Sequence, residues 1–381
     1  MQIITTERIP VKLWLDDIED GALAQAKDLA NLKFAFKHIA IMPDSHQGYG
    51  MPIGGVMATE QVVVPNAVGV DIGCGMTAIK SDIKVEDISQ DDLKEIMGEI
   101  RKVIPMGFGH HKEKQEWEGF NSAPDIEVIQ KQLENAKYQL GTLGGGNHFI
   151  EIQKGDDGFV WVMLHSGSRN FGLQTATEYN KLAQKMCEKW SSDVPNKDLC
   201  FLPMDSKEGE DYFKAMNYAL DFAFANRHLM LLRIMDIIGN QHFEPAGLIN
   251  IHHNYAAMEN HFGKNVLVHR KGATKATEGL IGIIPGSMGS PSYIVEGLDN
   301  AESFKSCSHG AGRRMGRGEA IRTLNLEEEQ NKMGDIIGKP RDQKHIDEAP
   351  GAYKDIDIVM NNQADLVKIK VKLLPMANIK A

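Results

Sequence analysis

The spacing of apolar positions changes several times along this chain, and each change marks an element. Residues 37–43 (Lys-His-Ile-Ala-Ile-Met-Pro) read as a strand that stops at a proline, followed by a glycine-rich loop over 44–55. Residues 61–65 are apolar, and 67–71 read as a buried strand ending on an acid. Apolar residues near helical period predict helices over 89–102 and 122–140, the second stopped by Gly141. Residues 159–165 (Phe-Val-Trp-Val-Met-Leu-His) form an apolar run of strand length that ends on a histidine. Helical spacing returns over 173–190 and 208–238, and the Met-rich stripe of the second reads as core, because Met fills irregular gaps. Strands are predicted at 248–252, 266–269 and 280–285, a glycine turn opening into a helix over 311–328, and a terminal strand over 366–374.

No internal repeat or low-complexity linker divides these elements. The expectation is an α+β fold: one compact domain over 1–381, with mixed sheets around a central metal pocket and a helix-rich insertion at 173–239. The chain has 381 residues, 42% hydrophobic and 25% charged, which are ordinary globular values. No apolar run is long enough for a membrane span, and Met1-Gln-Ile-Ile-Thr-Thr-Glu-Arg8 lacks the form of a signal peptide, so a cytoplasmic protein is expected. The four cysteines are too few and too scattered for a disulfide framework and contain no CxxC pair. A net charge of −10 disfavours a broad nucleic-acid face, so any RNA contact is expected at a basic pocket, with His269-Arg270-Lys271 and Arg313-Arg314 as its source.

The chemistry sits where glycines cluster. Asp71-Ile-Gly-Cys74, Gly144-Gly-Gly-Asn147-His148, Leu164-His165-Ser-Gly-Ser-Arg169, His252-His253-Asn254 and Ser306-Cys-Ser-His309-Gly-Ala-Gly312 combine borderline-metal ligands with backbone that can approach an anion. A thiolate can bridge two metals, and Asp71 adds a hard ligand three residues from Cys74. His148 and His165 alone read equally well as core histidines; Ser166, Ser168 and Arg169 beside His165 suit phosphate oxygens. His252 and His253 point to opposite faces of a strand, so one of them can face a metal. Residues 285–292 (Pro-Gly-Ser-Met-Gly-Ser-Pro-Ser) suit a phosphate or nucleotide but lack a Walker A ending. His309, ahead of a predicted helix and close to Arg313, could attack a phosphorus or be a solvated residue near an N-cap.

These segments, together with residues 67–76, 141–151, 269–273 and 284–289, closely resemble the RtcB family of RNA ligases, in the family's order and from about Met42 onward. The resemblance implies a GTP- and Mn²⁺-dependent ligase. It would join 2′,3′-cyclic phosphate or 3′-phosphate RNA ends to 5′-hydroxyl ends, in tRNA splicing or RNA repair. It implies that Cys74 bridges two Mn²⁺ ions, with His165 and His253 on one and Asp71 and His148 on the other. It makes His309 the catalytic nucleophile, carrying GMP as a phosphoramidate, with the metals and Arg313 disfavouring its protonation. The implied nucleotide contacts are Asn147, His148, Phe149, Ile150, Glu151, His253, Asn254, Pro285, Gly286, Ser287, Met288, Ser292, His309, Gly310, Ala311, Gly312 and Lys380. Glu151 would read the guanine N1–H and amino group, Lys380 its carbonyl, and Tyr353 would stack near the base. Arg169 and Arg313 are phosphate or RNA candidates.

Two departures stand out: the chain is short for the family, implying trimmed loops, and Ala381 replaces a terminal glycine. An archease-type activator and a monomer or homodimer are compatible with the resemblance. The competing readings are a metal-dependent cyclic phosphodiesterase without ligation, which needs neither Glu151, Lys380 nor a guanylylated His309, and a metal-stabilised RNA-binding scaffold.

Overall fold

Trp161 and Met163 point to one side of their strand, and Val160, Val162 and Leu164 to the other; both sides are buried. The first pair packs with Met76, Ile283, Ile294 and Leu373, and the second set with Met230, Leu231 and Ile234 of a long helix. A strand covered on both faces is uniformly apolar, which is why this run is so plain in the sequence.

The computed structural model describes residues 1–239 and 247–380; Ala381 lies outside them. The strand Phe159–Ser166 belongs to a seven-stranded sheet in the order Ile249–His252, Gly75–Lys84, Phe159–Ser166, Phe149–Gly155, Val367–Lys380, Ser292–Gly297, Ile281–Ile284, antiparallel throughout. A six-stranded sheet has the order Gln2–Ile4, Val11–Leu13, Ala35–His46, Ile53–Thr59, Lys264–Lys271, Asn254–His261. The helices Gln90–Val103 and Lys207–Ile237 pack against the seven-stranded sheet. Glu127–Gln139 and Phe171–Lys189 pack with Lys207–Ile237 around a second core containing Phe171, Tyr212 and Phe222. Met216, Met230 and Met235 of the long helix are all buried. This is a mixed α+β architecture around one central cavity.

Caps explain several helix starts. Ser89 and Asp92 form a reciprocal capping box, and the Ser206 hydroxyl accepts from Gly209 N. Among the described residues, no helix is long and apolar enough to cross a membrane.

Three local expectations need correction. Residues 67–71 are not a strand. Pro65 opens the short helix Pro65–Val68, Gly69 ends it at φ 95°, and the strand comes later, at Gly75–Lys84. Residues 311–328 do not form one helix. Arg317–Thr323 and Leu326–Lys332 are separated where the Asn325 side chain caps the second by accepting from Glu328 N. His309 therefore stands eight residues ahead of a helix of only about two turns, whose dipole does not reach it. The loop expected over 44–55 is shorter, because the strand Ala35–His46 runs on through Asp44.

Candidate active site

Four adjacent strands of the seven-stranded sheet deliver chemistry at one of their ends. Cys74 immediately precedes Gly75–Lys84, His148 precedes Phe149–Gly155, His165 sits near the end of Phe159–Ser166, and His253 follows Ile249–His252. The register brings them level: Met76 lies opposite His165, which lies opposite Phe149, and Gly75 opposite His252. Gly75 is required there, since a Cβ would lie 2.0 Å from the Ile251 carbonyl oxygen.

Two hydrogen bonds set the direction of the rings. His148 Nδ1 donates to the Leu143 carbonyl (2.9 Å) and His165 Nδ1 to the Asn147 carbonyl (3.3 Å). Each ring therefore turns an unprotonated Nε2 toward Cys74 Sγ, at 3.4 and 3.0 Å. His253 Nε2 lies 3.3 Å from His165 Nε2. The donor atoms fall into two groups, Cys74–His165–His253 and Asp71–Cys74–His148, each within 4.8 Å, and they share the thiol. Lone pairs crowded this closely fit a divalent cation of borderline softness, with backbone carbonyls as the outer support of the imidazoles. Burial pushes His165 and His253 well below the ordinary imidazole range, reinforced by the other histidines nearby. Burial also lowers His148, against the pull of Asp71. Neutral rings are the ligand form. Burial, then Asp71, pushes the Cys74 thiol well up, so a cation must displace its proton.

The second sheet supplies the facing wall. Asp44, near the end of Ala35–His46, is fully buried, and its Oδ2 accepts from His309 Nδ1 (2.6 Å), His309 N (3.0 Å) and Gly310 N (3.3 Å). His309 is delivered by the ribbon Ala273–Lys275 with Ser306–Ser308, and its ring centroid stands 4.8 Å from that of His253. With Nδ1 carrying the proton toward Asp44, Nε2 keeps its lone pair. Gly312 completes this turn at φ 74°, where a Cβ would lie 2.1 Å from the Asp44 carbonyl oxygen.

One cavity joins these walls. It is lined by Asp71, Cys74, His165, His253 and His309, and by Asn147, Phe149, Glu151, Asn254, 285–288, 310–313, Arg317, Tyr353 and Lys380. Residues 25–123 and 110–381 match the family described as tRNA-splicing ligase RtcB. The RNA-splicing ligase RtcB of Escherichia coli (strain K12) is 40% identical over 410 aligned positions, spanning 100% of this chain and 99% of the relative. The chain belongs to the RtcB family. RtcB relatives from Pyrobaculum aerophilum and Thermococcus kodakarensis, both described as tRNA-splicing ligases, are 33% and 31% identical over 98% of this chain and 95% of each relative.

This RtcB-family chain does not bring every expected residue to the cavity. Strand alternation turns Ile150 into the core, fully buried with Leu143 and Ile152, while Phe149 and Glu151 face the cavity. Ser292 sits behind its loop, its Oγ accepting from Gly286 N (3.1 Å) and Gln153 Nε2 (3.2 Å). Arg169 lies off the cavity: Nε donates to Thr142 Oγ1 (2.9 Å) and Nη2 to the Gly107 carbonyl (3.0 Å). Arg313 lines the cavity but turns to Glu348 (3.1 Å) and the Asp347 carbonyl (2.6 Å); the charged partner of His309 is Asp44, an acid rather than a cation. His269, Arg270 and Lys271 are buried and bound inward, Arg270 forming a fork with Glu259 at 2.7 and 3.0 Å, so they form no docking patch. Cys307 is a core thiol against Thr274 (3.1 Å). His252 faces away from the cluster, toward Arg227 Nη2 at 3.1 Å.

Several site residues escaped the sequence reading. Asp44 is one. Glu348 is another: it meets Lys380 (3.1 Å), Arg317 (2.7 Å), Arg313 and the Tyr353 hydroxyl, which keep its carboxyl below the ordinary range against the effect of burial. Asn226 and Arg227 on the long helix are the third case. Asn226 Oδ1 accepts from Gly141 N and Thr142 N, and Arg227 Nη1 donates to the carbonyls of Gly73 and Ser166 (2.9 Å each). The polar triplet Asn226-Arg227-His228 between the apolar stretches 222–225 and 229–232 was the available signal.

Proposed function

We propose that this protein is a GTP- and Mn²⁺-dependent RNA ligase that joins 3′-phosphate or 2′,3′-cyclic phosphate ends to 5′-hydroxyl ends. It would serve tRNA splicing or RNA repair in the cytoplasm, as a single-domain monomer or homodimer that an archease-type partner could activate. Its chief support is His309, held by Asp44 through Nδ1 beside a five-residue cluster of metal donors. Asp71 and His148 would hold one Mn²⁺, His165 and His253 the other, and Cys74 both. The ions, when bound, supply charge neutralisation at phosphate oxygens.

The chain's own residues do the rest. Asp44 fixes the His309 tautomer and orients the ring, as the acid of a nucleophile–acid pair does. Nε2 forms a bond to the α-phosphorus of GTP while the bond to the β-phosphate oxygen breaks, and pyrophosphate leaves. GMP then passes to the RNA 3′-phosphate, and the 5′-hydroxyl oxygen displaces it, closing the phosphodiester. A cyclic phosphate end is first hydrolysed to the 3′-phosphate. The backbone of 286–288 and 310–312 would cradle the phosphates, close to Arg313 and Arg317.

Glu151 and Lys380 would select guanine. They enter the cavity from adjacent strands, since Phe149 pairs with Lys380 and Glu151 with Asn378. Burial raises the Glu151 carboxyl to about 7, with Lys380 and Gln153 opposing. The ionised form accepts both guanine donors and the protonated form offers less, so the preference for GTP over ATP is expected to grow from pH 6 to pH 8. Labelling by the two nucleotides across that range measures it; Glu151→Gln should flatten the profile and lower the preference by roughly 10-fold or more. A preference that survives intact in the variant removes the guanine role.

Asp44→Asn tests the positioning of the nucleophile. It should slow GMP transfer to His309 by roughly 10²- to 10⁴-fold with GTP affinity little changed, the size seen when an orienting acid is lost. Rapid-quench labelling distinguishes this from an unaltered rate, which would leave Asp44 a structural acid only.

The deciding experiment is incubation of the protein with Mn²⁺ and α-labelled GTP. A covalent protein–GMP adduct that is lost in acid and stable in base supports ligation. Opening of a cyclic phosphate end without any adduct would favour a phosphodiesterase.

A further inference from the structure

Phe108 is the most exposed large apolar residue among those described, at 106% of its reference area. Exposed apolar side chains are common and need no explanation singly. This one differs in its support. Gly107 N donates to the Gly144 carbonyl (2.8 Å), and the Gly107 carbonyl accepts from Arg169 (3.0 Å). Met106 bridges to Gly144, and Gly109 N closes the turn on the Met106 carbonyl (2.9 Å). On the far side, His111 N donates to the Tyr138 carbonyl (2.9 Å). The loop is thus fastened at both ends, and its ring stands in water.

The fastening is to the site. Gly144 opens the glycine-rich turn that carries Asn147 and His148, and the position a Cβ would take at Gly145 is 3.8 Å from Gly107. At Gly146 the corresponding position is 4.0 Å from Arg317, on the cavity wall. Phe108 therefore stands beside the mouth, next to the turn that bears a metal donor.

We infer that Phe108 is a stacking face for an unpaired base of an RNA strand whose end enters the cavity. The inference rests on the ligase reading and deepens it. Glycines on both sides leave both ring faces clear, and His110 and Lys112 nearby are exposed and can meet phosphate oxygens. A protein partner would need an apolar core several side chains wide, whereas the loop offers only glycine, histidine, lysine and glutamate around one ring. A base needs a π face and a cation for its backbone, which is what single-strand binders provide without reading sequence. It also gives an acidic protein a foothold on RNA that depends little on charge.

Phe108→Ala should raise KM for the RNA end by roughly 10- to 100-fold, the loss of one stacked base. GTP labelling of His309 should be unchanged, and Phe108→Trp should restore KM. Abasic positions placed one at a time through the last few nucleotides add a sharper readout. One of them should cost the wild type the same factor and cost the alanine variant nothing further. Unchanged KM in Phe108→Ala overturns the inference, as does a variant whose only change is its state of association. A wild type that joins RNA but responds equally with and without Phe108 to every abasic position also overturns it. Failure of the wild type to form the GMP adduct would remove the ligase reading and the inference with it.

Discussion

His309→Ala is expected to abolish labelling by α-labelled GTP while metal content stays at the wild-type level. The ring lies outside both donor groups, and its Nδ1 is committed to Asp44 (2.6 Å), so nothing in the cluster depends on it for orientation. On the proposed route its loss removes the covalent path entirely; the expected drop in joining is on the order of 10⁴-fold or more. Opening of cyclic phosphate ends would not use His309 on that route and should persist. Intrinsic labelling and metal analysis on the same preparation check both halves. An adduct that survives would mean another residue carries GMP.

Cys74→Ala should have the other large effect, and of opposite kind. Its Sγ is the atom common to the two donor groups, so its loss weakens both, whereas His148→Ala removes a donor from one. Metal content should fall toward zero in the first variant and by about half in the second. The removed sulfur is small and its backbone remains held, Cys74 N to the Asp71 carbonyl (3.1 Å) and the Cys74 carbonyl by His253 N (3.0 Å), so the fold should survive. Metal affinity of the wild type should also fall with pH, because burial favours the thiol and the cation must compete with its proton. Full metal content in Cys74→Ala would end the shared-ligand assignment.

What could be read in the sequence and what could not divide along a physical line. The strand 159–165, the helices near 89–102 and 208–238, and the donor motifs were legible because each signal is local: a period, a cap, or a metal-binding residue among glycines. Residues 67–71 misled because a short apolar run closed by an acid fits either a strand or a short helix, and Pro65 decided it. Asp44 was illegible because it meets His309 across 265 positions of sequence, in a strand whose other residues are ordinary core. Glu348 lies in a 3₁₀ turn with no motif around it, and its role exists only where Lys380, Arg317 and Tyr353 converge. Arg169 and Arg313 were expected at phosphates from their charge and their serine- and glycine-rich motifs; their hydrogen bonds show that a guanidinium beside a glycine turn can serve to hold backbone.

The strand Val367–Lys380 pairs with Phe149–Gly155 on one side and Ser292–Gly297 on the other. During synthesis, the 366 residues that precede it must wait with these two strand edges unpaired. Such edges recruit other strands. A nascent chain stalled short of Val367 is therefore both catalytically empty, lacking the Lys380 side of the cavity, and prone to aggregate. Holding by a chaperone matters most at that stage, and C-terminal truncations should fail by precipitation before they fail by chemistry.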